Sequence, residues 1–312
     1  MLDPVVIEGK KILVTGPTGQ VAQPVVTAWA PLCDLHALAR FSNEDQRQLL
    51  ESAGVTCHAA DLAHPDSLAN LPDDFDYVLN FAVVKTGDFG YDLAANSEGL
   101  GRLMSHCRNV SAFLHLSSTA VYHYAGHAPL AENAALGDNH RAMFPTYSIS
   151  KIAAESVCRY VAAEFGIPTT IARLSVPYGD NGGWPFFHLL MMQQQMPIDI
   201  HPQTPNYYNL LHVQDYLEKL PRLLAAASCD VTTVNFGGSQ RTSIEQWCGY
   251  IGELTGLEPV FNETPEAFGS LCIDTERMHA LVGPTRVDWR EGVHSMIRTL
   301  APEALLDRER NA

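Results

Sequence analysis

No stretch of this sequence approaches the roughly 20 apolar residues that a membrane-spanning helix requires, so a membrane partner is not expected. Paired cysteines are missing too. The seven present are odd in number, widely spaced and without a CxxC pair, which argues against a zinc knuckle, a disulfide framework or a thioredoxin-like redox pair. Positive charge is scarce, with 20 Lys and Arg against 35 Asp and Glu and a formal charge of −15. That balance argues against nucleic acid as a partner, because such binding draws its affinity from clustered cations. The opening MLDPVVIEGKK lacks the basic segment, apolar core and cleavage site of a secretory signal, so the expected location is the cytoplasm. Among thirteen histidines, His123 and His127 have a ligand-like spacing, but they flank Tyr124, Ala125 and Gly126 in loop-like sequence. No metal is expected there.

What the sequence does have is alternation. Five short apolar runs, Lys11–Thr15, Asp34–Ala39, Val55–Ala60, Tyr77–Phe81 and Ala112–Ser117, are each followed by a helical or loop segment. A sixth, Thr169–Leu174, follows a long helical stretch from Tyr147 to Phe165 that Gly166 and Pro168 close. The pattern implies an α/β fold, a Rossmann-type doubly wound parallel sheet. Residues 1–175 form its nucleotide-binding part, and strands near 209–213 and 233–236 are expected to return to it. Residues 176–312 otherwise read as a smaller, interleaved substrate-binding lobe, with helices at Trp184–Gln195, Ser243–Thr255 and Thr275–Leu281. The last eight residues, LLDRERNA, read as frayed.

Directly after the first strand comes Thr15-Gly16-Pro17-Thr18-Gly19-Gln20-Val21-Ala22. Gly16 suits a tight turn, Gly19 a close backbone approach to a pyrophosphate, and the following helix offers its N-terminal NH groups. With this motif the chain resembles the extended short-chain dehydrogenase/reductase family, also called the NAD-dependent epimerase/dehydratase family, whose pattern is TGxxGxxG. Ala22 replaces the third glycine. That position serves helix–strand packing, where one methyl is tolerable.

Tyr147 and Lys151 lie four apart at the start of a helix, so their side chains share a face. A lone YxxxK is weak evidence, but Leu116-Ser117-Ser118-Thr119-Ala120-Val121-Tyr122 precedes it and resembles the family's SSxxVY segment. The resemblance makes Ser118, Tyr147 and Lys151 the catalytic trio. A free phenol with a pKa of about 10 is a poor base near neutrality. A cation some ~4 Å away is worth roughly 4 kcal/mol at an effective dielectric near 20, or about three pKa units before desolvation takes some back.

The cofactor implied is NADP in preference to NAD. Rossmann domains that take NAD carry an acid at the end of the second strand, and here Ala39 stands in its place. Arg40 then either pairs with a 2′-phosphate or lies in solvent. The resemblance adds Asp61 and Leu62 at the adenine, Phe81 and Ala82 at the pyrophosphate and ribose, Lys85 near the nicotinamide ribose or else at the surface, and Pro177 as a wall residue. Val176 replaces an Asn common in members that bind nucleotide sugars. The leading expectation is therefore a reductase or dehydrogenase of a small carbonyl or alcohol substrate. A sugar epimerase of the same family stands second, and a non-catalytic dinucleotide sensor third. A homodimer is expected.

Overall fold

The computed structural model describes residues 1–310. Its centre is a seven-stranded parallel sheet built from β1 (Lys11–Thr15), β2 (Asp34–Ala39), β3 (Thr56–Ala59), β4 (Tyr77–Asn80), β5 (Ala112–Ser118), β6 (Thr169–Leu174) and the strand Thr232–Phe236. In space the order runs from Thr232–Phe236 through β6, β5, β4, β1 and β2 to β3. The sequence of pairings reverses at β1, and that reversal opens a crevice beyond the carboxyl ends of the strands.

Alternation along β1 shows how the sheet is covered. Ile12 and Val14 join a core with Val25, Trp29, Leu220 and Phe236, while Leu13 joins a separate one with Val78, Leu103, Phe113, Cys158 and Ile171. Both faces are thus dry, which is why β4 and β6 are buried at every residue. Helix α1 (Gln23–Trp29) starts beyond the glycine loop, and Ala22 at its N-cap is 1% exposed, the close packing expected of that position. Further along lie α2 (Glu44–Ser52), α3 (Phe89–Leu93), a π-turn over Ala94–Glu98, α4 (Gly99–His106) and α5 (Tyr147–Phe165). Gly166 ends α5 in the left-handed region, at φ 65°.

The second half has its own core, in which Trp247, Leu189, Met192, Ile251 and Met296 pack together. Helix α6 (Trp184–Gln193) and the helices Ile244–Thr255 and Trp289–Leu300 enclose it. The expected return of 209–213 to the large sheet does not occur. Leu211–His212 pairs instead with Pro177–Gly179 in a three-stranded sheet, because Tyr178 and Leu210 are drawn into the lobe core. Thr232–Phe236 does take an edge beside β6. Of the terminal residues read as frayed, Asp307–Arg310 forms a helical turn, and residues 311–312 lie outside the described residues. The seven cysteines are free, and no cluster of three or more His, Cys, Asp or Glu side chains suited to a metal occurs among the described residues. No described helix is long and apolar enough to cross a membrane.

Candidate active site

The crevice begins where β1 meets β4. Thr15, buried at the end of β1, donates from Oγ1 to Asn80 Oδ1 at 2.7 Å and accepts from the amides of Phe81 and Ala82 at 3.1 and 3.0 Å. Gly16 follows at φ 67°, and a Cβ there would lie 3.0 Å from Ala82 Cα. Any side chain at Gly16 would be strained and would fill the cradle. Thr15 shapes the loop through these bonds, and it is not among the residues lining the two cavities that follow.

Two cavities share Gly16, Gly19, Phe81 and Val83 and so form one groove. The first, of about 250 Å³, is lined by Thr18, Arg40, Asp61, Leu62 and Ala82 among others. Across it Arg40 donates to the Tyr91 hydroxyl at 3.0 Å, and Tyr91 donates to Asp61 Oδ2 at 2.9 Å. Tyr91 therefore holds both polar residues that the sequence singles out at this end.

The second cavity, of about 390 Å³, is lined by Gln20, Val21, Lys85, Ser118, Tyr147, Lys151 and Pro177. Ser118 caps the turn after β5, accepting from Ala120 N at 3.1 Å. Tyr147 opens α5, where burial raises its phenol above the usual range and a hydrogen bond with Ser118 opposes the rise. Lys151 follows one turn later and donates from Nζ to Leu116 O at 2.8 Å. Burial brings its ammonium down to about 8, against the pull of Glu155. Its ammonium is thus engaged with the backbone of β5.

Beneath the trio lies a buried ion pair. Glu155 receives Ser117 Oγ at 2.7 Å, Arg173 through Nε and Nη2 at 2.8 and 2.7 Å, and Arg159 at 2.9 Å. Burial works against the carboxylate's charge, but Arg173, with Ser117 and Arg159, still brings it down to about 2. His115, on the same strand as Ser117, is neutral in the core, its imidazole pushed down to about 3 by burial, with Lys151 adding to the effect. Both folded pKa values lie below their unfolded ones, so both groups contribute stability that is lost as pH falls. The unfolding midpoint should therefore decline below pH 6.5, the ordinary histidine value, and more steeply below 4.5, the ordinary Glu value. Calorimetry from pH 8 to 4 should show the decline, and His115→Asn should make its upper part shallower.

Two further residues organise the site without any sequence signal that marked them. Asp92 accepts Thr86 N and Oγ1 at 3.1 and 2.7 Å, Gly87 N at 3.2 Å and Thr146 Oγ1 at 2.6 Å. Asn96, in the π-turn, bonds both backbone groups of Val84 at 2.8 and 2.7 Å and Ser150 Oγ at 3.1 Å. They tie the Lys85 loop to the residues just before Tyr147 and Lys151. Lys85 lines the cavity with Nζ 4.2 Å from the centroid of Phe144. The remaining wall is aromatic, with His140, Trp184, Phe187 and Tyr208 facing the cavity. Tyr178, a neighbour of Pro177 in sequence, is buried against the lobe and does not face it.

A family model described as the NAD dependent epimerase/dehydratase family matches residues 12–236. A Bacillus subtilis (strain 168) protein, YtcB, named as an uncharacterized UDP-glucose epimerase, is 26% identical over 213 residues, 65% of this chain and 66% of its own length. The chain thus spans less than two thirds of that curated relative. Among solved structures, UDP-glucuronic acid 4-epimerase from Bacillus cereus, in complex with UDP-glucuronic acid and NAD, superposes with a TM-score of 0.79. It is 20% identical and matched over 94% of this chain and 99% of its own. The epimerase Mth375 from Methanothermobacter thermautotrophicus gives 0.81 at 20% identity, over 98% and 95%. At such identities the likeness shows the fold.

These comparisons correct the leading expectation of a reductase or dehydrogenase. The relative and the neighbours carry epimerase names. The trio could not separate the two reactions, because each needs the same proton transfer at a carbinol. Val176 in place of an Asn had set sugar substrates second, yet one wall residue is too small a ground when Trp184 and Tyr208 also line the cavity.

Proposed function

The chain belongs to the NAD dependent epimerase/dehydratase family, and from that premise we propose that it is an epimerase that inverts a carbinol centre of a nucleotide-linked sugar. The observation that carries this reading is the single groove, with a glycine cradle at one end of the trio's cavity and an aromatic wall at the other. The cradle fits a dinucleotide, since a Cβ at Gly16 would occupy the space a pyrophosphate needs. A bound nicotinamide dinucleotide supplies a reversible hydride acceptor.

The chain's own residues do the rest. Tyr147 takes the proton of the sugar hydroxyl as its carbon is oxidised, and returns it when the resulting ketone is reduced on the opposite face. Ser118 holds the oxygen through both half-reactions, with a bond that strengthens as negative charge develops. Lys151, from its place on Leu116 O, would hold the ribose hydroxyls of that dinucleotide. Gly16, Thr18, Gly19, Gln20, Val21, Phe81 and Ala82 would hold its pyrophosphate, and Asp61 and Leu62 its adenine.

We assign NADP to the site, although the structural neighbours named above include one in complex with NAD. The assignment rests on Ala39, which offers no carboxylate to repel a 2′-phosphate, and on Arg40, which Tyr91 holds at the groove. A cytoplasmic homodimer is the setting proposed. In support, α5 leaves Ile149 and Tyr160 exposed, and their spacing of about three helical turns puts both on one face, open to a second copy.

Incubation of the purified holoenzyme with UDP-glucose, followed by proton NMR, tests the reaction. UDP-galactose should accumulate to equilibrium without net consumption of cofactor, and deuterium at the sugar C4 should stay on the sugar. Consumption of one cofactor per substrate would overturn the proposal.

A further inference from the structure

The start of α6 and two loops meet at the substrate end of the groove through their rings. Trp184 stacks on Phe268 at 5.7 Å between centroids and 7° between planes, and Phe268 stacks on His140 at 4.1 Å and 24°. His140 then stands 5.9 Å from the Tyr147 ring. One imidazole face is covered by Phe268, and the residue lines the cavity beside the trio.

The neighbouring Asn139 side chain points to which nitrogen of His140 carries hydrogen. Asn139 donates from Nδ2 to Tyr122 O at 2.6 Å, and this fixes the orientation of its amide. Asn139 Oδ1 is therefore the atom turned to His140, and as an acceptor it requires a proton on Nδ1. The imidazole is neutral near pH 7, brought down to about 4 by burial and by the Lys85 charge. With the proton on Nδ1, Nε2 is left as a bare lone pair. Among the described residues it has no hydrogen-bond partner, and no carboxylate lines the cavity.

We propose that His140 is a specificity-determining acceptor, whose Nε2 receives a hydrogen bond from a sugar hydroxyl next to the one that Tyr147 deprotonates. The inference rests on the sugar-epimerase reading and names what the site selects, a sugar with a free hydroxyl beside the reacting carbon. A substituent without a hydrogen to donate leaves the lone pair unpaired and lowers affinity.

His140→Phe keeps a ring against Phe268 and removes the acceptor, which makes it the test variant. By calorimetry on the cofactor-loaded protein, UDP-glucose should bind this variant about 5- to 100-fold more weakly than wild type, the range for an unmatched buried polar group. The difference should vanish for the one deoxy-UDP-glucose that lacks the recognised hydroxyl. Equal affinity of wild type and variant for UDP-glucose would overturn the inference. Nitrogen-15 NMR of histidine-labelled protein supplies a readout that needs no substrate. A neutral His140 protonated on Nδ1 supports the inference, whereas a proton on Nε2 at neutral pH overturns it. Failure of wild type to bind any UDP-hexose counts against the sugar-epimerase reading alone, and the tautomer still decides for or against the acceptor.

Discussion

Tyr147→Phe is expected to lower turnover by about 10²- to 10⁴-fold, the usual worth of a general acid–base group, while leaving cofactor affinity within a few-fold. The change removes one hydroxyl and little volume. Phe144, whose ring centroid lies 6.3 Å from that of Tyr147, loses no packing partner. The size of the effect follows from the surroundings of the phenol. A hydrogen bond with Ser118 stabilises its charged form, while burial opposes ionisation and Lys151 is engaged with Leu116 O. No neighbour is placed to take over the proton, since His140 is a weak base with a pKa near 4. The fall should therefore appear in kcat and kcat/KM alike, as for an interaction made only in the transition state. Wild-type activity should climb with pH as more of the phenol ionises, and Tyr147→Phe should lose that dependence. Retention of more than about a tenth of the activity would remove Tyr147 from the mechanism.

The parts of this molecule that were legible in the sequence obey local rules. Strands β1, β2, β4, β5 and β6 announce themselves by short apolar runs, since a parallel sheet covered on both faces buries nearly every residue of its inner strands, whereas β3, at the edge, buries none. Glycines in the first strand-to-helix turn and a four-residue Tyr–Lys spacing are likewise local. Leu211–His212 was misplaced because a two-residue strand has no periodicity to read, and the choice between sheets was made by Tyr178 and Leu210 packing into the lobe. Asp92, Asn96 and Tyr91 were invisible for a related reason. Each acts through partners 5 to 54 positions away, and an Asp or Asn on a short helix looks like any solvated residue until the loop it holds is seen. His140 belongs with them, since its stack on Phe268 joins segments 128 residues apart.

Cofactor choice rests on two adjacent residues and is the easiest reading to invert. If Arg40 grips a 2′-phosphate, Arg40→Ala should weaken NADPH by roughly 1.5–3 kcal/mol, the range for hydrogen bonds to charged groups, and hardly alter NADH. The geometry sharpens the expectation. Arg40 spends one of its donors on the Tyr91 hydroxyl at 3.0 Å, and a guanidinium has five, so the fork remains available for phosphate. Because Tyr91 also donates to Asp61 at 2.9 Å, Tyr91→Phe should weaken NADPH by less than Arg40→Ala, through lost orientation and not lost charge. Ala39→Asp should go further than either. A carboxylate at the end of β2 would repel the phosphate and would give the ribose hydroxyls of NADH an acceptor, so Ala39→Asp combined with Arg40→Ala should reverse the preference. Titration of wild type and each variant with both reduced cofactors at fixed ionic strength decides the matter, since salt screens an exposed phosphate pair. Equal wild-type affinities would mean that Arg40 serves only to hold Tyr91, and that Ala39 marks a site indifferent to the phosphate.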